Sequence, residues 1–148
     1  MDVLKPWLEA NANSAPVAHL QELFYLSNDR QHGDVASDIA ERLYARDPSP
    51  MNRDIMTTAY ISAGLLDKAV ALLREQVKEP GSNDSLYIST LTKLARKDAN
   101  ARKELTDYAE ISLRSGRGDA RQQLNYAYVL INNGRKDVAI PFAKAYAT

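Results

Sequence analysis

Two stretches of the chain carry most of the information about its fold. They are YISAGLLDKAVALL at residues 60–73 and LINNGRKDVAIPFA at residues 130–143. In both, a large apolar residue is followed four positions later by glycine and nine positions later by alanine (Ala69 and Ala139). The two alanines are 70 residues apart, which is two periods of 35, and this spacing predicts an internal repeat.

The same frame extends to two further segments. Residues 27–48 fit it, with Ala36 at the alanine position and Pro48 at the end, whereas the copy between the two defining stretches is degenerate and has Leu105 and Ala109 in the comparable positions. The equivalent positions are therefore 36, 69, 105 and 139, at spacings of 33, 36 and 34 residues. A period of this size is typical of stacked helical repeats, in which each unit buries its apolar face against its neighbours.

Apolar residues recur at spacings of three and four along nearly the whole chain, which indicates amphipathic helices. Helix starts are predicted at Ser14-Ala15-Pro16, at Ser49-Pro50 and at Asp119, because a short polar side chain there can accept from free backbone N–H groups. Asp119 also has the spacing of a capping box with Gln122. Helix ends are predicted at Gly33, Gly64, Gly116, Gly118 and Gly134. Together these signals predict nine helices, at about residues 2–12, 16–31, 34–46, 51–63, 66–78, 84–97, 101–115, 120–133 and 136–147.

Composition is that of a globular chain with no cysteine. Its 148 residues are 45% apolar and 26% charged, with a formal net charge of zero, so no overall field draws it to nucleic acid or to an anionic membrane. The charge is unevenly distributed, at −3 over residues 1–74 and +3 over residues 75–148. No stretch approaches the 18 apolar residues that indicate a membrane-spanning helix.

The repeat resembles the tetratricopeptide repeat, a helix–turn–helix family with a 34-residue period. Two copies match its pattern of small, large apolar, glycine, alanine and proline positions, at Thr57, Tyr60, Gly64, Ala69, Leu73 and Pro80, and at Ala127, Leu130, Gly134, Ala139 and Ala143. The first copy departs from that pattern, because Phe24 stands where a small residue is usual.

The resemblance implies an all-α fold, an α-solenoid of antiparallel helix pairs in a right-handed superhelix. It implies one repeat segment over residues 1–148, with a preceding half-repeat at 2–12 and repeats at about 16–48, 50–83, 84–118 and 119–148. Because the chain starts in mid-repeat and ends without a polar capping helix, we expect it to be a piece of a longer array.

In this family the first helix of each repeat lines a concave groove that receives a partner protein. The resemblance places twelve residues on that groove: Gln21, Tyr25, Asn28, Asp54, Thr58, Ile61, Ser89, Lys93, Arg96, Leu124, Tyr128 and Ile131. The Lys/Asn clamp with which some members hold a C-terminal carboxylate is not found at these positions. An error of one residue in the assignment would instead place some of the twelve in the core.

Few residues suggest catalysis or metal binding. His19 and His32 lack a second ligand at helical spacing, and the pairs Asp34/Asp38 and Asp107/Glu110 are interpreted as solvated surface. We therefore expect no enzyme activity, no cofactor and no metal. One dense basic cluster, formed by Lys93, Arg96, Lys97, Arg102 and Lys103, has two interpretations, a solvated edge or a contact with an acidic partner.

Two functions remain open at this stage. The first is a protein–protein interaction scaffold, since the divergent, cysteine-free repeats are similar to periplasmic repeat regions of bacterial exopolysaccharide export proteins, the Pel type above all. That likeness implies a periplasmic location in an outer-membrane export protein and, as partner, a periplasmic polysaccharide-modifying enzyme. The second is a cytoplasmic regulatory or peptide-sensing repeat domain. Neither interpretation includes binding to nucleic acid or insertion of this segment into a membrane.

Overall fold

The computed structural model describes residues 3–28 and 32–146. Over these ranges the chain forms nine helices and no strand. The helices are α1 (Leu4–Asn11), α2 (Val17–Ser27), α3 (Gly33–Arg46), α4 (Pro50–Ser62), α5 (Leu66–Gln76), α6 (Ser85–Leu94), α7 (Ala99–Arg114), α8 (Ala120–Asn132) and α9 (Lys136–Tyr146). All nine predicted helices are therefore present, with ends within a few residues of the prediction. The predicted extensions over residues 2, 29–31 and 147 lie outside the described residues.

Helix starts follow the predicted capping chemistry at two of three sites. The Ser49 hydroxyl accepts from the backbone N–H of Asn52, and Asp119 forms a complete capping box with Gln122. Helix α2 begins where predicted, but Pro16 stands at its N-cap and no side chain caps it. A further cap was not predicted: the Asp98 carboxylate accepts from two backbone N–H groups at the start of α7.

The predicted helix ends are found at Gly64, Gly116 and Gly134 but not at Gly33 or at Gly118, which immediately precedes the N-cap of α8. Gly64, Gly116, Gly118 and Gly134 all have φ near +70° to +80°, the left-handed region in which glycine carries no steric penalty. Gly33 was predicted to end a helix, and this is wrong, because it is the first residue of α3. Its role is close packing, since a Cβ on Gly33 would lie 3.3 Å from the Cα of Ala63 at the end of α4.

Helix packing divides the chain into two compact units, Met1–Thr90 (unit 1) and Leu91–Thr148 (unit 2), with the boundary inside α6. In unit 1, helices α2, α3, α4 and α5 pack each against the next, and α1 contacts α3. In unit 2, α7 packs on α8 and α8 on α9. Consecutive packing of neighbouring helices is the solenoid-like arrangement of an all-α chain, and the predicted fold class is confirmed.

The predicted alanine positions lie at the centre of this packing. Ala36, Ala69 and Ala139 are completely buried, and Leu105 and Ala109 of the degenerate third copy are buried as well. A methyl group at such a position lets two helix backbones approach closely, and the large residues on either side fill the remaining space. The repeat spacing therefore identified the helix–helix contacts even in the copy whose sequence departs most from the pattern.

In unit 1 the core accommodates a bulky side chain where the repeat pattern has a small one. Phe24 is buried among Leu20, Ile39 and Leu43 in one continuous apolar cluster. Arg46 at the end of α3 donates to the backbone carbonyls of Ala12 and Ala15, which attaches the α1–α2 connection to α3.

Candidate functional site

The twelve residues assigned to the groove all lie at the surface of the molecule. Eight are exposed and four are half-buried (Gln21, Asn28, Ile61 and Ile131). None of the twelve is fully buried, although Ile61 packs against the apolar core cluster, as the alternative of a core position expects. Their role in binding stays a prediction, because surface position alone identifies no ligand.

One of the twelve has a structural partner that the sequence did not indicate. Gln21 Nε2 donates to Asn52 Oδ1 at 2.9 Å. Asn52 is completely buried, and its amide nitrogen donates to both the backbone carbonyl and the carboxylate of Asp47, at 2.9 and 3.0 Å. Gln21 therefore holds α2 to the start of α4, and its amide is only partly available to a partner.

Two tyrosines and a leucine are the large groove residues that the fold leaves uncovered. Tyr25 and Tyr128 are each 66% exposed, and Leu124 is 51% exposed. The Tyr25 ring contacts Phe24 edge-on, with centroids 5.3 Å apart, so one side of it rests on the core. Leu124 and Tyr128 are four residues apart on α8 and therefore lie on one face, which continues one turn further to Asn132.

Unit 1 has a pocket of about 380 Å³ formed by α4, α5 and the start of α6. It contains two of the predicted groove residues, Asp54 and Thr58. Its lining residues are Asp54, Thr57, Thr58, Leu73, Gln76, Asn83, Ser85 and Leu86. The structure thus brings groove positions of α4 beside the first turn of α6.

Unit 2 has a second pocket, of about 410 Å³, at the ends of α6 and α8. Of the predicted groove residues it contains Arg96. We call it the basic pocket, and its lining residues are Thr92, Ala95, Arg96, Arg102, Leu105, Asn132 and Asn133. The prediction did not name Thr92, Asn132 or Asn133 as site residues. Arg96 and Arg102 did stand out in the sequence, as members of the dense basic cluster.

The turn between α6 and α7 explains why the basic pocket is in this repeat. After α4 and α8, a left-handed glycine closes the helix, and the next residue donates back to a carbonyl near the helix end: Leu65 to Tyr60, and Arg135 to Leu130, both at 2.8 Å. The turn after α6 has no glycine, and Arg102 Nη2 instead donates to the carbonyl of Ala95 at 3.0 Å. The missing glycine thus brings a guanidinium group to the helix end.

Charges around the basic pocket are not balanced. Over the described residues, Lys93, Arg96 and Lys97 form no ion pair. Over residues 93–107 the five lysines and arginines outnumber the three carboxylates, which are at positions 98, 104 and 107. The pocket rim is therefore electropositive even though the whole chain is neutral.

Tyr60 and Glu41 of unit 1 both have shifted pKa values. Burial, followed by the hydrogen bond with Glu41, raises the pKa of Tyr60 to about 12. Tyr60 Oη donates to Glu41 Oε1 at 2.8 Å, and this bond lowers the pKa of Glu41. Lys68 binds the same oxygen at 3.2 Å and stands over the Tyr60 ring, so the three groups connect α3, α4 and α5. This arrangement accounts for both shifts as consequences of helix packing.

The residues considered for catalysis or metal binding are apart or engaged elsewhere. His19 and His32 are exposed, and the part of the chain described by the structure contains no group of three potential metal ligands. Asp38 pairs with Arg42, and Glu110 pairs with Arg114 and Arg135. The expectation that the chain is not an enzyme stays a prediction.

Comparison with protein-family models, with curated protein sequences and with solved structures gives no match to this chain. Among the described residues, no helix has the length and apolar character needed to cross a membrane.

Proposed function

We propose that this chain is a non-catalytic docking scaffold of the tetratricopeptide type, which holds a partner protein against the first helices of its repeats. The observation that supports the proposal most strongly is the exposure of Tyr25, Leu124 and Tyr128 at groove positions. Aromatic side chains contribute a large share of the energy of protein interfaces. The core is buried without these three side chains, and their exposure to water favours a binding role over a packing role.

The likeness to exopolysaccharide export proteins gives the proposal its setting. In that setting the segment is periplasmic, within an outer-membrane export protein, and its partner is a periplasmic polysaccharide-modifying enzyme. The scaffold would bring this enzyme to the export pore during secretion of a biofilm matrix. Only the sequence resemblance supports this part of the proposal.

The experiment is a capture assay with immobilised chain, using separate extracytoplasmic and cytoplasmic fractions of the organism that encodes it. Tyr25→Ala/Tyr128→Ala is compared with Ile111→Ala, a matched control because Ile111 is 67% exposed on α7, a second helix. We expect one protein to be lost with the double variant and retained with the control. Its purified form should then bind the wild-type chain in calorimetry.

Identification of the captured protein decides the setting. An extracytoplasmic polysaccharide-modifying enzyme supports the export scaffold, whereas a cytoplasmic protein supports the regulatory domain. Equal loss of the partner with Ile111→Ala would contradict the assignment of the first-helix face as the docking surface.

A further inference from the structure

The basic pocket has features that the proposed docking face does not require. It lies at the ends of α6 and α8. Its lining includes Arg102 of α7, which is the second helix of its repeat and not part of the docking face. No aspartate or glutamate is among its lining residues. It therefore presents hydrogen-bond donors and positive charge without an internal counterion.

The helix ends that meet at this pocket would ordinarily oppose an anion. The last carbonyls of a helix carry partial negative charge, and both α6 and α8 end here. Arg102 donates to the Ala95 carbonyl, and Asn133 Nδ2 donates to the Val129 carbonyl at 2.7 Å. These bonds satisfy carbonyls at the two helix ends and so reduce the repulsion that an anion would meet.

Donor groups remain available after these bonds are formed. Arg96 is exposed and has no partner among the described residues, and Arg102 uses one nitrogen of a guanidinium that has five N–H donors. Lys93 and Lys97 flank the pocket and add to the local potential. A planar guanidinium binds a carboxylate through two parallel hydrogen bonds, which a lysine cannot do.

Neighbouring apolar residues indicate what carries the carboxylate. Tyr128 is one turn of α8, about 5.4 Å along the axis, before Asn132 of the pocket, and Leu124 is one turn earlier. Single-stranded nucleic acid is bound by several aromatic rings interleaved with the cations, whereas here none lines the pocket and Tyr128 is a single ring beside it, next to the aliphatic Leu124. A peptide with acidic and apolar side chains matches both the charge and the adjacent surface.

The geometry points to the chemistry of the bound segment: the basic pocket, which adjoins the docking face through Arg96 and Tyr128, binds side-chain carboxylates of an acidic peptide segment, with an apolar residue of that segment placed against Tyr128. This inference rests on the proposed docking function, and it adds the chemical class of the partner segment. Arg96 provides the principal contact, and Arg102 shapes the pocket while contributing its remaining donors.

The test uses a fluorescein-labelled peptide of alternating Glu and Leu and the same peptide with Gln in place of Glu. Fluorescence anisotropy should show binding of the Glu peptide to the full chain, weakened by added salt, and binding of the Gln peptide should be at least about tenfold weaker. Arg96→Gln should reduce affinity for the Glu peptide about tenfold. Arg96→Lys should lose part of that affinity, because lysine keeps the positive charge but lacks the planar guanidinium that forms two parallel hydrogen bonds with a carboxylate.

Arg121→Gln is the matched control, since Arg121 is exposed on α8, makes the same charge change and does not line the pocket. We expect it to change the affinity by less than about twofold. Equal losses in Arg96→Gln and Arg121→Gln would show attraction to overall charge and overturn the inference. Equal binding of the Gln peptide, or binding of a single-stranded DNA oligonucleotide through Arg96 without the Glu peptide, would overturn it as well.

Failure of this inference is distinct from failure of the docking proposal. If the protein captured by wild-type chain is retained by Arg96→Gln and lost with Tyr25→Ala/Tyr128→Ala, the docking face stands and the acidic-segment inference falls. If the Glu peptide binds through Arg96 while the double tyrosine variant captures an unchanged set of proteins, Tyr25 and Tyr128 are not the docking residues and the basic pocket remains. Circular dichroism of each variant verifies that its helix content is unchanged.

Discussion

Unit 1 and unit 2 both consist of packed helices, but they differ in net charge and in how many of their lysines and arginines have partners. Unit 1 has 8 Lys/Arg against 13 Asp/Glu, a net charge of −5, and unit 2 has 11 against 6, a net charge of +5. In unit 1 every described lysine and arginine has a partner, as Arg53 does with Glu79 at 2.8 Å. In unit 2, Lys93, Arg96 and Lys97 have none among the described residues. Unit 2 also has paired cations, such as Arg114 and Arg135 with Glu110, so the difference between the described parts of the two units lies in unpaired cations such as those at residues 93, 96 and 97.

The largest expected effect on stability comes from removing the buried Asn52 amide of unit 1. Asn52→Ala deletes the group that joins α2, the α3–α4 connection and α4, and leaves Gln21 and Asp47 without it. We expect the free energy of unfolding to fall by about 2–3 kcal/mol in urea denaturation, because the three hydrogen bonds of a completely buried amide are lost together. Asn125→Ala, an exposed asparagine of α8, should change it by less than about 0.5 kcal/mol. Equal effects of the two changes would show that the hydrogen bonds of Asn52 contribute no more to the free energy of unfolding than an exposed asparagine does.

Overpacking one alanine position tests whether the repeat contacts are as close as the structure shows. Ala69→Leu adds three carbons at a completely buried position and should lower the free energy of unfolding by about 1–3 kcal/mol. Ala71→Leu is the control, because Ala71 is exposed on the same helix. A higher melting temperature for Ala69→Leu in calorimetry would contradict the close approach of the helices. The same change at Ala139 extends the test to unit 2.

The two kinds of inter-helix turn can be distinguished by glycine substitution. Gly64 has a φ of 75° and no atom within 4 Å of where its Cβ would be, so Gly64→Ala measures the left-handed backbone alone. We expect a loss of about 1 kcal/mol. Lys97→Gly in the turn after α6 should give no gain in stability, because that turn has no left-handed residue among its described positions. A clear stabilisation by Lys97→Gly would show that this turn is strained.

The smallest expected effect is the pH dependence that Glu41 gives to unit 1. Its hydrogen bond from Tyr60 lowers the pKa of Glu41 below the ordinary value of 4.5. The resulting stabilisation is present above the pKa of the unfolded chain and is lost as the pH falls through the folded value. Because Glu41 is partly exposed, we expect less than about 1 kcal/mol. Urea denaturation between about pH 5 and 3 should show a shallower loss of stability for Glu41→Gln and Tyr60→Phe than for wild type, and parallel curves would contradict the assignment.

The helices and their contacts could be read from the sequence because they depend on local and periodic signals. Ala69 and Ala139 marked the buried contacts, and the capping box of Asp119 required only its own segment. Gly33 was misread because close packing against Ala63 depends on a helix that comes later in the chain. A local signal cannot report a distant neighbour.

For the candidate site, the sequence predicted the exposed groove tyrosines but not the basic pocket. Tyr25 and Tyr128 were placed on the groove by the resemblance to the repeat family, and both are exposed. The basic pocket did not follow, because it depends on Arg102 turning back to the carbonyl of Ala95 and on Asn133 standing beside it. These are choices of side-chain conformation that no spacing encodes. The division into two units likewise arises from the distribution of contacts over the whole chain.

The turn after α6 has a consequence for how this chain can diversify. A turn closed by left-handed glycine admits few replacements at that position, whereas a turn without one accepts L-residues other than proline at Arg96 and Lys97 without a left-handed backbone. Binding preference can therefore be altered there while the helices on either side remain intact. For a protein engineer, residues 96 and 97 are the natural place for a combinatorial library. For natural selection, they are where a change of partner is least costly to folding.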